Sequence, residues 1–123
     1  MRSPLKYATL NIDCAKVNRS PYDLVEDIAE FVTKNNLDII SRTESDFGSQ
    51  RDASSFKIPN YVTHPAKPST VEPGKVRVVL LVKEKLDPYV RKRPDLMTSE
   101  VFPTVWVELN LPRSPRYIIG AAY

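Results

Sequence analysis

The stretch "VRVVLLVKEKL" constrains the chain most, because Val78, Val79, Leu80, Leu81 and Val82 follow one another without a polar break. Successive side chains of a strand point to opposite faces, so an unbroken apolar run needs cover on both sides. The flanking charges suit strand ends. A chain of 123 residues is long enough to bury such a core in one domain.

Other segments supply material for that cover. In "LKYATLNIDC", Tyr7, Thr9, Asn11 and Asp13 alternate with Ala8, Leu10, Ile12 and Cys14, the period of a strand with one apolar face. "SPYDLVEDIAEFVTKNN" reads as a helix over residues 20–36. Ser20 is an N-cap, Pro21 fits the first turn, and Asn35 and Asn36 can end it. Leu24, Val25, Ile28, Phe31 and Val32 form its apolar stripe, expected to pack as core. A strand over Leu37–Thr43 follows, so strand, helix and strand make a βαβ-like unit whose two strands share a sheet. "YVTHP" reads as a short strand, and "DPYVRKRPDLMTSEVFP" as irregular or a short edge strand. "TVWVELNL" and "RYIIGAAY" read as two strands joined across "PRSP". One early helix followed mostly by strands places the chain in the α+β class, or among α/β layer folds with a mixed sheet and an early packing helix. The final strand runs to Tyr123 with no polar tail, which gives the expectation that residues 1–123 are the N-terminal portion of a larger domain.

The composition narrows function only a little. The net charge of +3 is compatible with a polyanionic partner, and "RKR" at 91–93, Lys83, Lys85, Arg113 and Arg116 could touch phosphates or simply be solvated. Cys14 is the only cysteine, which excludes an intrachain disulfide and a thiolate metal cluster and suits an intracellular protein. No apolar run is long enough to span a bilayer, so no membrane partner is expected. "PGK" at 73–75 lacks the remaining elements of a phosphate loop and precedes a strand. His64, the only histidine, is expected as an exposed loop side chain. Trp106, between Val105 and Val107, is expected to be core or half-buried. Asn11, Glu44 and Tyr123 each fall at the C-terminal end of an expected strand, where sheet-based sites form. Glu44 offers a hard oxygen ligand, Asn11 an amide and Tyr123 a phenol.

The order "LNIDC", "LDIISRTESD", "VRVVLLVKEKL", "TVWVELNLP" and "YIIGAAY" resembles the N-terminal half of the endonuclease/exonuclease/phosphatase superfamily. It looks most like the endonuclease domains of non-LTR (LINE-type) retrotransposons. The resemblance implies a four-layer α/β sandwich with two packed sheets, a Mg²⁺ cofactor and DNA as partner. It makes Asn11 and Glu44 metal-site residues, brings Tyr123 to the scissile phosphate as a catalytic residue, and leaves Arg113 and Arg116 to contact nucleic acid. The chain departs from the family in three ways. The family's His–Asp pair lies beyond the matched region. Arg42 stands where the family has an apolar residue, so it is either a costly buried charge or a partner of Glu44 or Asp46. Gly74 alone remains of the glycines before the central strand. The expectation is therefore a chain without activity on its own, self-associating through uncovered core surface. The alternative is a noncatalytic α+β module that binds nucleic acid or protein.

Overall fold

The structure, a computed structural model, describes residues 5–11, 29–43, 58–67, 78–97 and 103–122. Among them are seven strands: β1 (Tyr7–Asn11), β2 (Ile39–Thr43), β3 (Tyr61–Pro65), β4 (Val78–Lys83), β5 (Val90–Lys92), β6 (Val105–Leu109) and β7 (Tyr117–Ala121). A helix, α1, occupies 29–35, and two 3-10 helices span Glu84–Tyr89 and Pro94–Leu96. Each expected strand is present within the described residues, and the irregular stretch after Leu86 contains the short edge strand β5.

β1, β2, β4 and β3 form one mixed sheet in that order, with β1 parallel to β2 and the other pairs antiparallel. β5, β6 and β7 form a second, antiparallel sheet. β4 is fully buried from Val78 to Val82, and its two faces feed two different cores. Val78, Leu80 and Val82 meet Ile39, Val107, Leu109 and Ala121 between the sheets. Val79 and Leu81 meet Ile40, Leu37, Ile58 and Val32 on the helix side. At about 1.5–3 kcal/mol for each fully buried aliphatic side chain, β4 is the largest contributor among the strands. The described residues thus make three layers: helix, mixed sheet and antiparallel sheet.

α1 ends as its asparagines suggest. Asn36 takes a left-handed conformation with φ 49°, the Asn36 amide donates to Thr33 O, and the Leu37 amide donates to Val32 O. That pair of bonds satisfies the last carbonyls of the helix, and the Val32–Leu37 contact seals the turn against the core. Phe31 departs from expectation, since it is 44% exposed. The face that packs runs through Ala29 and Val32, one helical turn apart. Phe31 lies at the border of a stripe wider than the contact it serves. Leu24, Val25 and Ile28 lie outside the described residues.

Asp38 ties the strand starts together. Its carboxylate accepts from the Lys6 amide at 2.9 Å, its own amide donates to Lys6 O, and its carbonyl accepts from the Lys83 amide. Lys83 Nζ reaches Asn36 Oδ1 at 2.6 Å and lies 3.9 Å from Asp38 Oδ1. Tyr61 donates its hydroxyl to Leu37 O. Burial, and then the Asp38 charge, raise the Tyr61 phenol above its ordinary pKa.

Candidate functional site

The parallel ladder sets the geometry of the candidate rim. Tyr7 pairs with Ile39, Thr9 with Ser41 and Asn11 with Thr43, so Asn11 and Thr43 lie side by side in the sheet. Glu44 is the next residue after Thr43 and lies outside the described residues, as does Tyr123, two positions beyond the end of β7. The ladder therefore brings Asn11 beside the residue before Glu44. A row of hydroxyls leads along the same strands: Tyr7 donates to Ser41 Oγ at 3.0 Å, and Ser41 donates to Thr9 Oγ1 at 3.1 Å. These bonds fix β1 on β2 and so fix the register that sets Asn11 beside Thr43.

Arg42 is buried, at 1% exposure, on the helix side of β2, as the apolar pattern around it demands. It is engaged by an interaction there, although Nε and Nη1 make no hydrogen bond among the described residues. Glu44 and Asp46, its expected alternatives for pairing, lie outside those residues.

His64 corrects the sequence reading. It is not an exposed loop residue; it lies in β3 opposite Leu80 and is 7% exposed. Its Nε2 is 2.9 Å from Asp87 Oδ1, so the 3-10 helix Glu84–Tyr89 is tied to the sheet through this pair. Neither residue alone announces the pairing. His64 is the one buried residue of β3, and it faces Leu80 of the core strand β4 across the ladder.

A second polar cluster forms on the outer face of β5–β6–β7. Glu108 is 4% exposed although it sits in a strand whose neighbours Val107 and Leu109 point into the core. Its Oε1 lies 3.0 Å from Arg93 Nη1 and 3.4 Å from Arg116 Nη1, and its Oε2 accepts from Asn110 at 2.9 Å. The Asn110 bond, and then the charges of Arg116, Arg93 and Arg91, hold the Glu108 carboxyl below its ordinary pKa. Arg93 also forks onto Asp95 through Nε at 2.9 Å and Nη2 at 2.8 Å, which raises the guanidinium pKa and lowers that of Asp95.

Arg113 and Arg116 sit in and just after the β6–β7 turn, with Arg113 at φ 55°. The turn end of the hairpin is the Leu109–Tyr117 pair, and the end that leads towards Tyr123 is the Val105–Ala121 pair. At about 3.4 Å per residue, the two arginines stand a full strand length from the end of β7. The structure does not bring them to the Tyr123 end.

Among the described residues no three His, Cys, Asp or Glu side chains gather as metal ligands. No described helix is long and apolar enough to cross a membrane. No family model matches the chain, and no curated protein matches it.

Proposed function

We propose that this chain carries part of a Mg²⁺-dependent phosphodiesterase domain of the kind that nicks DNA in non-LTR retrotransposons. The observation that supports the reading best is the parallel pairing of β1 with β2, which sets Asn11 beside Thr43, the residue before Glu44. Two sheets packed face to face, with a helix behind the first, are the architecture such a domain requires. In this reading Asn11 and Glu44 hold the metal, and Tyr123 donates to a phosphate oxygen. Bound Mg²⁺ would supply Lewis-acid stabilisation of the phosphate and the leaving oxygen. A water-activating His–Asp pair is still needed, and His64 does not serve: it is buried and bonded to Asp87 on the opposite side of β4 from β2. Loss of general-base assistance is worth about 10²–10⁴-fold in rate. The 123-residue chain should therefore leave supercoiled plasmid intact with Mg²⁺.

The test joins this chain to the downstream half of a related endonuclease domain and measures plasmid nicking. Nicking that depends on Mg²⁺ and disappears in Glu44→Ala supports the reading. A joined protein in which Glu44→Ala nicks as fast as its parent overturns it. The basic face around Glu108 favours a second reading, a noncatalytic module that binds nucleic acid or protein, and a joined protein that binds DNA without ever nicking it would support that reading instead.

A further inference from the structure

We propose that the edge of β7 takes up an extended peptide strand, which lies beside β7 in the second sheet and over β1 of the first. β7 is the last strand of its sheet among the described residues. It packs over β4 and β2, while β1 stands one strand further out. Cross-strand partners share a face, so Tyr7 and Thr9 of β1 lie on the same side as Ile39 and Ser41 of β2. That side is the one between the sheets, since Ile39 meets Val107, Leu109 and Ala121 there. Yet Ile39 is 1% exposed and its partner Tyr7 47%. The second sheet covers β2 and stops short of β1. Strands neighbour at about 4.8 Å and sheets stack at about 10 Å, so a strand placed beside β7 would lie over Tyr7 and Thr9. The shelf between the β7 edge and β1 has the dimensions of one strand.

The sheet edges differ in what they offer. β5 is three residues long and carries Arg91 and Lys92, and β3 ends in Pro65. Shortness, charge and proline all discourage a further strand. β7, "YIIGA", carries no charge and no proline. Its Ile118 is exposed on the face away from the core, where it pairs with Glu108. Arg116, just before β7, is largely exposed and reaches the same face, with Nη1 3.4 Å from Glu108 Oε1. These features define the occupant. Side chains alternate along a strand, so those flanking Ile118 and Arg116 should be β-branched and acidic, and those between should carry hydroxyls to meet Tyr7 and Thr9. Backbone pairing supplies the affinity and the alternating side chains the selectivity. A lone peptide fits better than a second copy. Antiparallel pairing of two β7 edges would bring the two β1 strands onto each other, because each β1 reaches past its own β7. The inference rests on none of the chemistry assigned to the rim.

The experiment titrates the full 123-residue chain into the fluorescein-labelled peptide Thr-Val-Thr-Val-Thr-Glu and follows polarisation. In antiparallel register this peptide sets Glu opposite Arg116 and Val opposite Ile118. A parallel titration with unlabelled peptide follows the emission of Trp106, the only tryptophan, whose ring lies on Gly120 of β7. Binding should saturate, and the emission should shift to the blue as the added strand shields the ring. The same peptide N-methylated at every amide keeps its side chains but loses its donors to β7, and it should bind at least about tenfold more weakly. Exchanging the peptide's Glu for Lys should weaken binding about threefold on the parent chain and not on Arg116→Ala. If Arg116→Ala loses its near-UV circular dichroism, the N-methylated peptide decides, since it needs no variant of the protein. The inference is overturned if the peptide does not saturate, if the N-methylated peptide binds equally well, or if the charge exchange acts equally on parent and folded Arg116→Ala. It is also overturned if unlabelled chain displaces the peptide as readily as unlabelled peptide does, which would make the occupant a second copy. No metal or DNA enters the measurement, so failure here leaves the phosphodiesterase reading to its own nicking assay.

Discussion

Asp87 Oδ1 lies 2.9 Å from Nε2 of the buried His64 ring, and this hydrogen bond holds the 3-10 helix Glu84–Tyr89 against β3. The histidine is 7% exposed, so removing its partner leaves a polar ring atom shielded from water. Asp87→Ala should destabilise the chain by about 1–3 kcal/mol. Chemical denaturation measures this directly. His64→Phe with Asp87→Ala should cost less than Asp87→Ala alone, because the orphaned ring nitrogen is gone. Equal costs would show that the orphaned ring nitrogen carries no penalty.

The Trp106 ring lies flat on Gly120, its partner across the β6–β7 ladder. A Cβ at Gly120 would come within 2.7 Å of Trp106 Cδ2, so the ring must move and strain its 2.8 Å bond from Nε1 to Thr104. Gly120→Ala is expected to cost about 1–3 kcal/mol and to shift tryptophan emission to the red. Since Trp106 is the only tryptophan, the emission reports on this contact alone.

Acid stability should depend on Glu108. Its folded-state pKa is depressed below the ordinary 4.5, chiefly by the Asn110 bond and then by Arg116, Arg93 and Arg91. The stability it contributes is present above pH 4.5 and is lost as pH falls through the folded value. Melting temperature should therefore drop below that pH in the parent and drop less steeply in Glu108→Gln. Parallel curves for the two proteins would contradict the assignment.

Exposed apolar side chains and open strand edges should make the chain associate. Tyr7, Tyr117 and Ile118 are exposed, and β1 and β7 each end a described sheet. Sedimentation should show oligomers that grow with concentration, and Ile118→Lys should reduce them. A single monomeric species at every concentration would refute this.

The fold was legible wherever one local rule and the tertiary environment agreed. The apolar run of β4 requires two covered faces and has them. Asn36 offers a left-handed helix end and supplies it. Phe31 failed because helical period identifies a stripe but not its width, and only the partner surface decides which border residue is left in solvent. His64 failed for a related reason: the Pro that follows it suggests a loop, while its burial depends on Asp87, remote in sequence. The Glu108 cluster joins three segments around one carboxylate, and no spacing rule links them. Of the candidate rim, the sequence carries the strand ends and the ladder carries their alignment.

The β1–β2 ladder also has a kinetic meaning. The Ser41–Thr9 bond closes across 32 positions of chain, whereas β6 and β7 meet through a short turn. Hairpins form in roughly 1–10 μs, and a parallel pair must first offset the entropy of a long closed loop. β6–β7 should therefore form early and β1 dock late. Under native conditions the same order runs in reverse, with the amides of β1 exchanging with solvent through openings that leave β4 protected. Any rim built on Asn11 would then be the last part of the molecule to be completed and the first to come apart.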